Sequence, residues 1–330
     1  MARNKRKNVK DKDRIKQIRK EARKRWRNKK ANEKALKNAQ KDAIAGPHCA
    51  KKSNQAAGLT GETTRTHQEP PKTRVVLQRH VKEIDPSLVV RSEKFLGSGS
   101  FGNCYLAYYR DVVVAVKEYK KGKCSLDYLK REVRHEAKMI NQLDDHRGVP
   151  LLFGIVTKSE PLLLITKFHG MKQKSYTLYA LIKKKKLEKP TWVIILKNLV
   201  DALDHIHSCG ILHNDLKSNN VVLEYRDQQW NPVIIDFGKA RYITDPKPLL
   251  SMKAEKQKDY RQKFPHIAPE IVNGTNRQTI YSDIYSMGKI VLAVLDLLPT
   301  ATAKSIKVAQ SATCEDPTKR PTLKELSAAL

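Results

Sequence analysis

Between residues 211 and 220 the chain reads ILHNDLKSNN, a His, an Asp, a Lys and three Asn behind an apolar approach. Asp215 precedes Asn220 by five positions. At that spacing one loop can offer a carboxylate to a substrate hydroxyl and an amide oxygen to a hard divalent cation. A second carboxylate, Asp236, follows the apolar run PVIID and opens the tripeptide Asp236-Phe237-Gly238, which reads as a strand delivering an oxygen ligand into a loop. Upstream, LGSGSFGNCY sets Gly97, Gly99 and Gly102 between two predicted strands. Glycines there let backbone N–H groups approach phosphate oxygens, because no Cβ stands in the way. A dinucleotide fingerprint would need a helix immediately afterwards, and strand residues follow instead. Lys117 closes the run VVVAVK, where by itself it reads equally well as an edge-strand charge.

These residues need elements to hold them. From about residue 88 the β-branched runs SLVV, VVVAVKEY, PLLFGIV and PLLLITKF are interrupted once by LKREVRHEAKMINQL, whose apolar positions recur at helical spacing. This predicts an antiparallel sheet with one helix. After residue 176 the stretches TLYALIKKKK, TWVIILKNLVDALDHIHSCG and SDIYSMGKIVLAVLDLL have helical length and period. The fold class is therefore α+β, with a small sheet lobe at 88–169 and a larger, mainly helical lobe at 170–330. Ahead of this 88–330 domain lie a basic tail, residues 1–45, and a linker, residues 46–87, rich in Gly, Pro, Thr, Asn and Gln. Within the tail Ile15, Ile18, Ala22 and Trp26 are spaced as on one thin helical stripe.

Composition bounds the partners. The 330 residues carry 65 Lys and Arg against 34 Asp and Glu, a net charge of +31, so the partners are anionic. Cys49, Cys104, Cys124, Cys209 and Cys314 are scattered without a CxxC pair, which argues against a disulfide framework or a zinc site and for a reducing compartment. The opening MARNKRKNVK lacks an apolar core, and no run reaches membrane-spanning length. The expectation is an intracellular protein of the cytoplasm, with the nucleus also open.

Ala268-Pro269-Glu270 and SDIYSMG, with Asp283 near its start, complete an ordered series: glycine loop, VAVK, helix glutamate, H-x-D-L-K-x-x-N, DFG, APE and D-x-Y-S-x-G. From about residue 90 to the C-terminus the chain resembles the eukaryotic protein kinases, with HND where most carry HRD. The resemblance implies a bilobal fold with ATP in the cleft and Mg2+ as the accompanying ion. It implies that Lys117 holds the α- and β-phosphates and is positioned by Glu136, with Glu132 as the competing glutamate. Asp236 and Asn220 would ligate magnesium, Asp215 would receive the hydroxyl proton, and Lys217 would steady the transferring group. Thr166 would stand at the back of the adenine pocket and residues 167–170, including Phe168, would form the hinge. Leu96, Ala115 and Cys104, the last in a place usually held by Val, would line the pocket together with Gly97, Gly99 and Gly102.

Lys217 matches the serine/threonine pattern, so protein Ser or Thr hydroxyls are the expected acceptors, with dual or tyrosine specificity as the alternative. Two features depart from that pattern: Lys263 replaces a usual Thr, and Phe264-Pro265 resembles the tyrosine kinases. Asn214 stands where many relatives carry an Arg that binds an activation-loop phosphate. A neutral amide cannot neutralise a dianion, so activity should not depend on phosphorylation of Thr244, Ser251 or Tyr260. Arg320 should pair with Glu270, and the interval from Asp283 to KRPT is short enough that one helix is lost or reduced. The basic tail could attract an acidic partner or bind nucleic acid nonspecifically. The principal rival is a pseudokinase or scaffold that binds nucleotide or partners without transfer.

Overall fold

The computed structural model describes residues 80–99, 101–122, 124–143, 145–184, 187–299 and 301–330, all within the unit running from Val76 to Leu330. The basic tail, most of the linker and the helical stripe around Trp26 lie outside the described residues.

Three strands, β1 (Val89–Ser98), β2 (Gly102–Tyr109) and β3 (Val112–Tyr119), form a meander. It is extended by β4 (Leu152–Val156) and β5 (Leu163–Lys167) into a five-stranded antiparallel sheet of order β1-β2-β3-β5-β4. The β2–β3 hairpin turns on Arg110 and Asp111, at φ 46° and 67°. Two consecutive left-handed residues match the twist of the strands they join. The period of two sorts the sheet's side chains into two cores. Val114, Val116, Leu163 and Ile165 belong to a cluster on one face, whereas Tyr119, Leu162 and Leu164 join the main core on the other.

Helix α1 (Leu126–Asn141) starts where Ser125 Oγ accepts the Tyr128 N–H at 3.2 Å. It buries Leu129, Val133, Ala137 and Ile140 along one stripe, and Glu136 lies on that same stripe. The helical period that seats the apolar residues therefore also drives one carboxylate inward.

The larger lobe is built on α2 (Leu178–Lys184), α3 (Lys189–Ser208), α4 (Ala254–Lys263), α5 (Pro269–Asn273), α6 (Ile280–Leu295), α7 (Ala303–Ala312) and α8 (Leu323–Ala329). Trp192, Ile195, Leu196, Leu199, Leu203 and Ile206 of α3 meet Met287, Val291 and Val294 of α6 in the main core, each such side chain contributing about 1.5–3 kcal/mol on burial. Two capping boxes, Thr279 with Ser282 and Thr322 with Glu325, set the starts of α6 and α8. Between α6 and Arg320 the only α-helix among the described residues is α7, ten residues long. A two-stranded sheet pairs β6 (Ile211–Leu212) with β9 (Arg241–Tyr242), and a hairpin joins β7 (Val221–Arg226) to β8 (Gln229–Ile234). The segments carrying Asp215, Asn220 and Asp236 lie at the ends of these short strands. Among the described residues no helix is long and apolar enough to cross a membrane.

Candidate active site

Lys117 points from β3 into the interior. Its Nζ lies 2.8 Å from Glu136 Oε2 on α1 and 2.8 Å from Asp236 Oδ1, so one ammonium joins both lobes. Side-chain exposure is 12% for Lys117 and 3% for Glu136, so the first pair is essentially desolvated. Burial pulls the lysine pKa down, but Glu136 and Asp236 outweigh it and hold the ammonium above its ordinary range. Burial pushes Glu136 upward, and the hydrogen bond from Tyr119 Oη, together with Lys117, opposes that shift. Of the two candidate glutamates, Glu136 is the one that reaches the lysine. Glu132 is only partly buried and instead acts electrostatically on Tyr128. Asp236 sits at φ 68°, a left-handed backbone that turns its carboxylate back toward Lys117. A Cβ on Gly238 would come within 3.3 Å of Glu136 Oε2, so glycine there lets α1 approach closely.

The glycine loop divides into two functions. A Cβ on Gly102 would fall 2.0 Å from the Glu118 carbonyl oxygen, so this residue is glycine for strand pairing. Gly97 and Gly99 have nothing within 4 Å of such a Cβ. Their missing side chains leave room above the site, as a phosphate cradle requires. Cys104 pairs in register with both Gly97 and Lys117, and burial raises its thiol to about 11, so it packs as a thiol beside the ion pair. Ala115 faces Thr166 in the β3–β5 register. Leu96 is half-buried on β1, and Phe168 follows β5, its ring beside Gly170. The hinge is tied to the lower lobe at Glu224, which lies 3.0 Å from Lys167 Nζ and 3.1 Å from His169 Nδ1.

The Asp215 carboxylate meets four side-chain donors. Oδ2 accepts from Lys217 Nζ at 2.9 Å and Asn220 Nδ2 at 3.2 Å, while Oδ1 faces Lys239 Nζ at 3.0 Å and His266 Nε2 at 3.2 Å. Against the opposing effect of burial, these contacts hold the carboxyl far below the usual carboxylate range. Lys217 and Asn220 were expected in the site, as the cation on the transferring group and as a magnesium ligand, whereas Lys239 and His266 were not. Lys263, where the resemblance places a substitute for Thr, is exposed, and His266 three residues later makes the contact instead. Asn220 also donates to the Asp215 carbonyl at 2.8 Å. Its amide nitrogen is thus committed, and its Oδ1 is the atom suited to a metal. With Asp236 it makes a pair of oxygen ligands, which fits Mg2+ completing its shell with phosphates and water.

The catalytic loop is held from below. Asp283 accepts the His213 N–H at 2.8 Å and the Asn214 N–H at 2.9 Å. Asn214 is at φ 62°, a conformation that Asn tolerates better than most residues, and its Nδ2 donates to the Lys239 carbonyl at 3.3 Å. Arg320 grips Glu270 with two bonds of 2.7 and 2.8 Å, both side chains being buried, and so anchors the end of the segment that carries His266.

A sheet lobe and a helical lobe, joined by a lysine between two carboxylates, define a two-lobed fold. The protein kinase domain family matches residues 90–316, and the chain belongs to that family. It is 32% identical over 205 residues to a chain of Acanthamoeba polyphaga mimivirus named as a serine/threonine-protein kinase/receptor, covering 61% of this chain and 12% of that one. A serine/threonine-protein kinase of Dictyostelium discoideum is 32% identical over 211 residues, covering 62% and 46%. The tyrosine-protein kinase TXK of Homo sapiens is 28% identical over 214 residues, covering 64% and 37%. The chain thus spans less than half the length of these relatives, and they include both acceptor classes.

Proposed function

We propose that this chain is a protein kinase that transfers the γ-phosphoryl group of ATP to serine or threonine hydroxyls of proteins. The observation that carries this reading is Lys117 bound at 2.8 Å to both Glu136 and Asp236, which sets a cation, a metal-ligating carboxylate and the two lobes in one arrangement. Lys117 would hold the α- and β-phosphates, and the room left at Gly97 and Gly99 admits them. Mg2+, held through Asp236 and Asn220, would neutralise charge on the phosphates. Asp215 orients the acceptor hydroxyl, and Lys217, two residues on, supplies positive charge to the transferring group. Lys217 is also the residue that favours serine or threonine over tyrosine.

One observation favours the rival reading, a kinase-like module without transfer. Four donors surround the Asp215 carboxylate, and an ionised carboxylate offers about four acceptor positions. Transfer requires at least one of them to leave. Incubating the chain with labelled ATP and magnesium, against Asp236→Ala on generic Ser, Thr and Tyr substrates, separates the readings. Incorporation on Ser or Thr that disappears in the variant is expected. A folded chain that binds ATP and labels nothing would establish the rival, and label on Tyr would reassign the acceptor.

A further inference from the structure

The segment that places His266 on Asp215 carries a large excess of positive charge. Residues 239–263 contain Lys239, Arg241, Lys247, Lys253, Lys256, Lys258, Arg261 and Lys263, against Asp245, Glu255 and Asp259. Of these cations only Lys239 has a carboxylate within 4 Å among the described residues, and that carboxylate is Asp215 itself. Arg241 meets a histidine ring and Arg261 an asparagine oxygen. Lys253, Lys256, Lys258, Arg261 and Lys263 are all exposed.

Their placement matters as much as their number. Helix α4 ends at Lys263, and three residues later His266 Nε2 is 3.2 Å from Asp215 Oδ1. Tyr260 of α4 and Lys247 before it both feel the Asp215 charge. The cations without a carboxylate partner therefore lie on the segment that leads directly to the Asp215 contact, where an acceptor hydroxyl would arrive. Helix α4 buries no residue and has no side-chain N-cap. Gln257 donates to the Met252 carbonyl and Arg261 to Asn273, but the helix's lysines serve no core and present charge to solvent.

We infer that the acceptor-docking surface of this chain is α4 with the loop leading to it, and that it takes peptides with acidic residues, aspartate, glutamate or phosphorylated side chains, around the hydroxyl. This deepens the kinase reading and rests on it for the identity of the acceptor. An acidic flank serves twice. It neutralises cations that have no carboxylate within 4 Å among the described residues, and it competes with Asp215 for Lys239 and His266, freeing a position for the hydroxyl. The attraction is electrostatic and partly exposed, so it weakens with salt.

The test uses the full chain and three fluorescent peptides that share one central serine and carry acidic, neutral or basic flanks. Binding is read by anisotropy and transfer by initial rates, at low and physiological ionic strength. The acidic peptide should bind about tenfold or more tightly than the neutral one. Lys256→Glu with Lys258→Glu should abolish that difference, and the milder Lys256→Gln with Lys258→Gln should reduce it with an unchanged melting temperature. Affinity indifferent to peptide charge overturns the inference. So does a preference that survives charge reversal in α4, since the basic tail would then be the binder. An oligothymidine that loses more affinity than the acidic peptide in the reversed variant would reassign the surface to nucleic acid and overturn it as well. Charge-selective binding without transfer to any peptide would sustain the docking surface and overturn the enzymatic reading instead.

Discussion

His266 Nε2 lies 3.2 Å from Asp215 Oδ1, joining the end of the activation segment to the carboxylate proposed to orient the acceptor hydroxyl. The two residues are 51 positions apart. Ser286 Oγ donates to the His266 carbonyl at 2.7 Å, so the backbone carrying the imidazole is itself held by α6. His266→Ala removes one competitor for the carboxylate. The KM for an acceptor peptide should fall about fivefold, equivalent to about 1 kcal/mol, with the KM for ATP unchanged. Parallel changes in both constants would show that His266 only supports the fold.

Lys117→Met leaves Glu136 buried beside Tyr119 without its cation. Stability should drop by about 3 kcal/mol, and transfer should fall at least about 100-fold. The pH dependence has a defined sign. Burial raises the folded-state pKa of Glu136, and without Lys117 that effect is unopposed by an ammonium. A carboxyl raised in the folded state favours folding when protonated, and that contribution disappears as pH rises through the folded value. Urea denaturation should therefore show a smaller deficit at about pH 5 than at about pH 8. A deficit that is constant with pH would mean that Glu136 is already neutral in the parent chain.

Glu224 gives the opposite sign. Despite burial, hydrogen bonds from His169 and Lys167 lower its carboxyl to about 2. A depressed carboxylate stabilises the fold above its unfolded pKa and loses that contribution as pH falls toward the folded value. Glu224→Gln should cost about 1.5–3 kcal/mol at neutral pH. The difference from the parent should stay flat down to about pH 5 and shrink below it, which denaturation curves at successive pH values would reveal. A gap that widens on acidification would contradict the tie between hinge and lower lobe.

Asn214 offers an amide where a phosphate-binding arginine is common in the family. Thr244→Ala, Ser251→Ala and Tyr260→Phe, separately and together, should keep peptide phosphorylation within about threefold of the parent, since neutral hydrogen bonds lack the strength of charge-assisted ones. A loss of tenfold or more in a variant with an unchanged melting temperature would show that Lys239, Arg241 or Lys247 has taken over the arginine's role.

The order of elements and the Lys117–Glu136 ion pair could be read before any coordinates, whereas the contact of Lys117 with Asp236 could not. Lys117, Glu136, Asp215, Asn220 and Asp236 lie in short motifs that carry the family resemblance, and Glu136, which leads into the apolar Met139 and Ile140 at a separation from Lys117 that suits the family pattern, is favoured over Glu132. Arg320 and Glu270 were paired in the same way. The further donors on Asp215 were not legible. Lys239 reaches it across 24 positions and His266 across 51, through turns that leave no periodic trace. Helix α4 was hidden for a different reason: AEKQKDYRQK has no apolar stripe, so its residues read as a basic loop. The β7–β8 hairpin was only half visible, because its turn uses Asp227 and Gln228 at φ 51° and 62° and contains no glycine to announce it.

The bidentate bond between Arg320 and Glu270 spans 50 residues. Chains emerge from the ribosome at about 5–20 residues per second, so Glu270 is made seconds before its only guanidinium partner among the described residues. Until Arg320 arrives, Glu270 has no guanidinium to hold the end of the activation segment, and the bond from Ser286 Oγ to the His266 carbonyl is the tie already available there. The sheet lobe, Asp215 and Asp236 are already synthesised by then. Assembly therefore has a built-in order in time: the sheet lobe can form before Arg320 is made, and the Glu270 end of the activation segment can lock only afterwards.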